Sequence, residues 1–180
     1  MPFQVRPTSP YEILPAVPSF TVTSAEFANG GPLAKNQLSA IFGADGADES
    51  PSLSWSGQPE GTKSFAVTCF DLDAATGTGF WHWIVIDIPA DVTELPVGAG
   101  SAQPTGLPHG ARQMRNDADL RQFLGAAPPE GDGQHRYLFA VNAVATEHLE
   151  VDDDVTPALL SFNLVANTIG RAVITGTCER

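Results

Sequence analysis

The sequence predicts a mainly β domain of two packed, mostly antiparallel sheets with one helix near the C-terminus. Three observations carry that reading. Phe65–Phe70, Phe80–Ile88 and His135–Val144 are short runs rich in β-branched and aromatic residues, bounded by clusters of Asp, Thr and Gly. The chain holds 17 Gly and 15 Pro with only 17% charged residues, which suits a loop-rich β protein better than a helical bundle. Only Leu159–Ile169 has a convincing helical start, the Thr156-Pro157 pair, in which an N-cap hydroxyl precedes a proline at the first helical position.

In chain order, Met1–Pro18 is rich in proline and reads as an extended arm with little regular structure, leaving 19–180 as a single domain. Phe20–Ser24 alternates as a strand, Asn29–Pro32 is a turn, and Leu38–Asp48 ends in a small-residue, acidic loop. Ser50–Gly57 places Leu53 and Trp55 on one side and Ser52, Ser54 and Ser56 on the other, a half-exposed strand. In Phe80–Ile88 a period of two puts His82, Ile84, Ile86 and Ile88 on one face and Trp81, Trp83, Val85 and Asp87 on the other. Both faces are largely apolar, so this strand belongs inside the protein. Pro89–Gln134 has few periodic runs; such a length in a compact domain is functional or carries minor elements. In His135–Val144, His135, Tyr137, Phe139 and Val141 share a face. Glu147–Asp154 reads as a solvated acidic approach to the helix, Gly170 as its end, and Ala172–Thr177 as a closing strand.

At 180 residues the chain can bury one sizeable core. A net charge of −12 argues against nucleic acid and anionic membrane surfaces as partners. No window approaches a membrane span. The opening MPFQVRPTSPYEILP lacks the long apolar core of a signal peptide. Cys69 and Cys178 are too few and too unpatterned for a disulfide framework or a zinc site, so both are expected as free thiols and the cytoplasm is the simplest location.

The best site candidate lies around Phe65–Pro89. His82 stands near the start of a buried strand, and the loop before it opens with Asp71 and Asp73. Here the residues carry a resemblance. Asp71–Trp83, DLDAATGTGFWHW, is similar to a family motif of the form D-P-D-A-P-T-G-x-G-x-W-H-W. Gly125–Tyr137, GAAPPEGDGQHRY, resembles a second, G-x-x-P-P-x-G-x-x-H-R-Y, allowing a shift in the leading Gly. Ser50–Trp55 matches S-P-x-L-x-W, and Thr175–Arg180 nearly matches an ending T-G-T-Y-x-R. These motifs belong to the phosphatidylethanolamine-binding protein family, whose bacterial branch is often named for similarity to Raf kinase inhibitor protein. The resemblance covers about Phe20 to the end. It implies a large antiparallel sheet packed on a smaller one with peripheral helices, and a pocket for phosphoryl and other small anions. Carried across, that pocket is Asp71, His82 and His135, walled by Phe80, Pro128, Pro129 and Tyr137, with Asp73 either behind the pocket or capping its loop.

The sequence departs from the motifs at three places. Leu72 and Ala75 replace the prolines of the first motif. The second of these is a cis-proline in many relatives, and a cis bond before Ala75 costs roughly 2.5–4 kcal/mol, so a looser or differently shaped loop is expected. Cys178 replaces the usual Tyr, and Asp119 stands where a Gly is typical after N-D-A.

The chemistry of these residue types fits a binding site. His135 and Tyr137 lie on one side of their strand and can converge on one ligand oxygen. His82 can donate a second hydrogen bond, and Asp71 can fix its tautomer or receive an amine. Taken singly, a buried His is more often a core residue than a ligand contact, and Asp71 alone could be a turn acid. Arg136, facing away from His135, is expected in a structural ion pair; Trp81 and Trp83 are expected in the core, and His109 and His148 in solvent. Two functional classes follow: a non-enzymatic binder of a small phosphoryl-bearing anion, in a kinase-inhibitor-like regulatory role where a protein partner is involved, or an enzyme using His82, His135 and Asp71 as a two-His, one-carboxylate iron site. No H-x-H or H-x-D/E spacing pre-arranges metal ligands and no G-x-S-x-G elbow occurs, so the binder without metal or cofactor is preferred. A homodimer is expected, with the Pro-rich arm available to wrap a neighbour.

Overall fold

The computed structural model describes residues 8–180. Two antiparallel sheets form the body. The smaller is ordered β1 (Thr21–Thr23), β2 (Leu53–Ser56), β5 (Glu94–Leu95). The larger is ordered β6 (Arg112–Gln113), β4 (Phe80–Pro89), β3 (Ser64–Asp71), β7 (His135–Val144), β8 (Thr168–Cys178). The predicted mainly β architecture and the division into a large and a small sheet are what the chain adopts.

The main core lies between the sheets. Leu53 and Trp55 of β2 meet Phe65, Val67 and Cys69 of β3 and Tyr137, Phe139 and Val141 of β7. The alternation in Ser50–Gly57 is realised, with Leu53 and Trp55 buried and Ser54 and Ser56 exposed. Full burial of each large apolar side chain here contributes roughly 1.5–3 kcal/mol. A second core sits on the outer face of the large sheet under the helix α2 (Pro157–Asn167), where Leu160 and Leu164 pack on Ala66, Ile84, Ile86 and Val144.

The strand β4 does not keep its period of two. Cys69 pairs with Trp83 but Phe70 with Trp81, and Phe65 pairs with Ile88 but Val67 with Val85. Two bulges therefore insert one extra residue each, at His82 and at Ile86–Asp87, the latter with Asp87 at a φ of 59°. Ile88 consequently joins Trp83 and Val85 between the sheets, whereas Ile84 and Ile86 face the helix. The expected common face of His82, Ile84, Ile86 and Ile88 is thus split, because each bulge reverses the alternation.

Three boundaries also differ. The first seven positions of the predicted arm lie outside the described residues; beyond them the arm is irregular, as expected, except at Pro10–Ile13, which forms a short helix, α1, capped by the Ser9 hydroxyl. Ser9-Pro10 carries the same cap-and-proline signal as Thr156-Pro157. Tyr11 then packs on its own sheet, 3.4 Å from the Thr68 hydroxyl and under the Arg171 guanidinium. The helix α2 ends at Asn167, not at Gly170, and the chain passes straight into β8. Gly170 is required for a different reason: a Cβ there would lie 2.7 Å from the Pro59 ring. Finally, the acidic approach to α2 is only partly solvated. Asp153 pairs with Arg112 and Asp154 with Arg115 and Arg121, while the Leu149 amide donates to buried Asp87.

Candidate functional site

The ends of three adjacent strands build the site. Asp71, the last residue of β3, is in register with Phe80 of β4 on one side and Tyr137 of β7 on the other. His135 lies two residues before Tyr137 on the same face, and the bulge in β4 turns the His82 ring to the same side, edge-on to Tyr137 at 5.2 Å. Without that extra residue His82 would share the outer face with Ile84. Together these groups floor a cleft of about 250 Å³, walled by Pro128 and Pro129 on one side and by Ala74, Ala75 and Thr76 on the other. A cleft this size is at or below the small end of ligand pockets, which run from roughly 300 Å³ upwards.

The two histidines are held differently. The His82 Nδ1–H donates to the Leu124 carbonyl at 2.7 Å, which leaves Nε2 as an acceptor while the ring is neutral. Burial pushes its pKa below the ordinary histidine value, the Leu124 carbonyl and the Asp71 charge offsetting only part of this. Of the two roles open to Asp71, fixing the His82 tautomer is not the one it takes, because the bulge leads the His82 Nδ1–H to a carbonyl. Asp71 instead accepts from the His135 Nδ1–H at 2.8 Å. The other ring nitrogen of His135, Nε2, lies 3.2 Å from a carboxylate oxygen of Asp132. Burial disfavours charge on His135, but the hydrogen bonds and charges of Asp71 and Asp132 outweigh it and hold the pKa above the ordinary value.

Tyr137 is 1% exposed, and its phenolic oxygen makes no hydrogen bond of ordinary geometry among the described residues, although the Asp71 carboxylate lies close by. Burial, then the charge of Asp71, pushes its pKa far up, so the phenol is a neutral donor at any physiological pH. Buried polar atoms in folded proteins nearly always have partners, which makes this phenol the exception in the cleft wall.

Asp73 is outside the cleft. Its carboxylate takes a fork of hydrogen bonds from Arg136 Nε and a terminal nitrogen, both at 2.8 Å, and one from the Arg136 amide at 2.9 Å. The expected ion pair of Arg136 is thus made, and Asp73 caps the loop. Burial works against the Asp73 charge, but Arg136 outweighs it and holds the carboxyl below its ordinary pKa. That fork, the Asp73 amide on Asp71 and the Thr76 hydroxyl on the Gly79 carbonyl pin the loop at three points. It contains no cis peptide bond. Leu72, in a motif proline's place, packs against Phe70 and Leu138. Trp83 is in the core and Trp81 half-buried beside Phe70, as expected, and His109 and His148 are exposed.

Sequence reasoning missed several contributors besides the Ala74–Thr76 wall. Phe42, 53% exposed, stands at the cleft mouth. Asp48 is buried and binds the Gly125 amide at 2.7 Å and the Ala40 and Ile41 amides at 2.9 Å, which joins the loop carrying Phe42 to the Pro128–Pro129 wall. Gly125 must be glycine, since a Cβ would lie 2.4 Å from the Leu38 backbone. Asp132 is inside the second motif, three residues before His135, a spacing that could have flagged it.

Comparison with known proteins fits this geometry. The sequence profile described as "Phosphatidylethanolamine-binding protein" matches residues 23–179. The chain belongs to the phosphatidylethanolamine-binding protein family. Among its relatives, YbcL of Escherichia coli is 51% identical over 161 residues, spanning 89% of this chain and 88% of that protein. YbhB of the same organism is 41% identical over 152 residues, 84% of this chain and 95% of the relative. The crystal structure of YbcL, described as a new member of the mammalian PEBP family, superposes with a TM-score of 0.86 over 89% of this chain and 98% of that one. Within the family pattern, Asp119 adopts a φ of 62°, which explains the glycine typical there; Asp is among the side chains that tolerate this conformation. Cys178 is buried opposite His135, and it and Cys69 are free thiols.

Proposed function

We propose that this protein is a non-enzymatic binder of a small ligand bearing a phosphoryl or similar anionic group, held in the cleft between Pro128–Pro129 and Ala74–Thr76. The observation that carries the reading is the buried, unpartnered Tyr137 phenol in the cleft wall, beside a histidine whose charge two carboxylates support. A neutral donor and an imidazolium together suit an oxyanion, because hydrogen bonds from charged donors are roughly twice as strong as neutral ones. His82, held as an Nδ1–H tautomer, supplies an acceptor for a protonated ligand oxygen or an amine. Family membership supports a binding role. The iron-enzyme reading has less support: among the described residues no group of three His, Cys, Asp or Glu side chains stands where it could hold a metal ion. A cytoplasmic location and pairing with a second copy belong to the same proposal, the first drawing on the two free thiols. The test is calorimetry with sulfate and with phosphoethanolamine on wild type and Tyr137→Phe. Binding by wild type and a loss of about tenfold in the variant is expected; equal affinities would remove the cleft from the account.

A further inference from the structure

His135, in the cleft, has no free ring nitrogen. Nδ1 is bound by Asp71 and Nε2 by Asp132. The two acids differ in how they are held. Asp71 is 3% exposed at the end of β3, and its second oxygen accepts the Asp73 amide at 2.9 Å. Asp132 lies at the surface, its side chain 34% exposed, on a turn whose flanking glycines Gly131 and Gly133 have φ of 78° and 91°. Its bond to His135 is the one hydrogen bond its carboxylate makes among the described residues. His135 lines the cleft, as do Pro128 and Pro129; Asp132 reaches His135 from the turn just after that proline wall, its amide donating to the Pro129 carbonyl. The Asp132 oxygen therefore occupies, 3.2 Å from Nε2, the kind of position that an oxygen of a bound anion would take.

We propose that Asp132 is an internal competitor for the anion: its carboxylate caps His135 Nε2 in the empty site and must swing out before a phosphoryl or sulfate oxygen can take that nitrogen. This inference rests on the anion-binding reading above. Asp71 keeps the ring oriented throughout, so displacement costs the Asp132 contact alone. A weak anion such as a carboxylate gains nothing by replacing a carboxylate already tethered three residues away, whereas a doubly charged phosphoryl group brings more charge and more acceptor oxygens. The competitor therefore sets both the affinity of the cleft and its preference for strongly charged oxyanions.

The experiment is titration calorimetry with sodium sulfate and sodium acetate at constant ionic strength, on wild type, Asp132→Ala, Asp132→Asn and Glu130→Ala. Glu130 is on the same turn, 83% exposed and 3.6 Å from Arg180, so its removal changes net charge equally without touching His135. Asp132→Ala should bind sulfate about tenfold more tightly than wild type, with Asp132→Asn between them and Glu130→Ala within about twofold of wild type. Acetate should gain measurable affinity in Asp132→Ala. If wild type binds sulfate and Asp132→Ala binds it equally or more weakly, the competitor is overturned and the anion-binding reading stands. If neither protein binds sulfate at any pH from 5 to 9 (a range chosen to be about the titration of histidine), the anion-binding reading fails and the competitor falls with it.

Discussion

His82 and His135 flank the same strand, β3, and come within reach of the same cleft, yet they hold opposite protonation tendencies. His135 sits where plain alternation in β7 puts it, and its partners are two carboxylates. His82 sits where a bulge puts it, and its partner is a backbone carbonyl. A carboxylate partner can repay the desolvation of an imidazolium; a carbonyl repays too little. The difference teaches that the charge a buried histidine can carry is decided by the partner that the backbone delivers, so a shift of one residue in strand register decides which partner His82 meets and whether it faces the cleft at all.

The largest expected effect comes from removing the carboxylate beneath His135. Asp71→Ala should lose about 3–5 kcal/mol in urea denaturation, because the buried Nδ1–H of His135 is left unpaired, Asp132 serving only Nε2. An unchanged midpoint would mean that His135 is neutral in the native protein and the contrast with His82 is unreal. His82→Phe should lose less, about 1–3 kcal/mol, since the ring volume is kept and only the buried Leu124 carbonyl is orphaned. Tyr137→Phe should change stability by about 0.5 kcal/mol or less, or raise it, because the phenol it removes satisfies nothing in the fold. A large loss in the same denaturation assay would reveal a partner for that hydroxyl and weaken the case for a ligand.

The smallest effects are in pH. The raised His135 pKa contributes stability that is complete below the unfolded value near ~6.5 and is lost as pH rises through the folded value. The lowered His82 pKa acts in the other direction, its contribution being present above ~6.5 and lost as pH falls toward the folded value. Thermal melts should therefore show that His135→Gln flattens the alkaline side of the stability profile and His82→Phe the acid side. Both variants flattening the same side would contradict the contrast.

Much of this was legible in the sequence because β2, β3 and β7 obey the period of two: Leu53 and Trp55, and His135, Tyr137 and Phe139, point where alternation says. The convergence of Asp71, His135 and Tyr137 follows from such runs together with the motifs. The bulges in β4 were not legible, since Trp, Ile and Val occupy both faces of a buried strand and hide a change of register. The partner of His82 depended on that register, so the sequence left it open. Asp73 carries the same chemistry as Asp71, but it lies beyond the end of β3, where Arg136 takes it. Asp132 and Asp48 act through loop geometry, which periodicity does not encode.

The most direct test of the central claim is a nitrogen-resolved NMR titration of the two imidazole rings, with and without saturating sulfate. The account predicts that His135 titrates above the ordinary value and moves higher when sulfate binds, while His82 remains an Nδ1–H tautomer titrating below it. Sulfate leaving the His135 titration unmoved, or His82 titrating above His135, would contradict it.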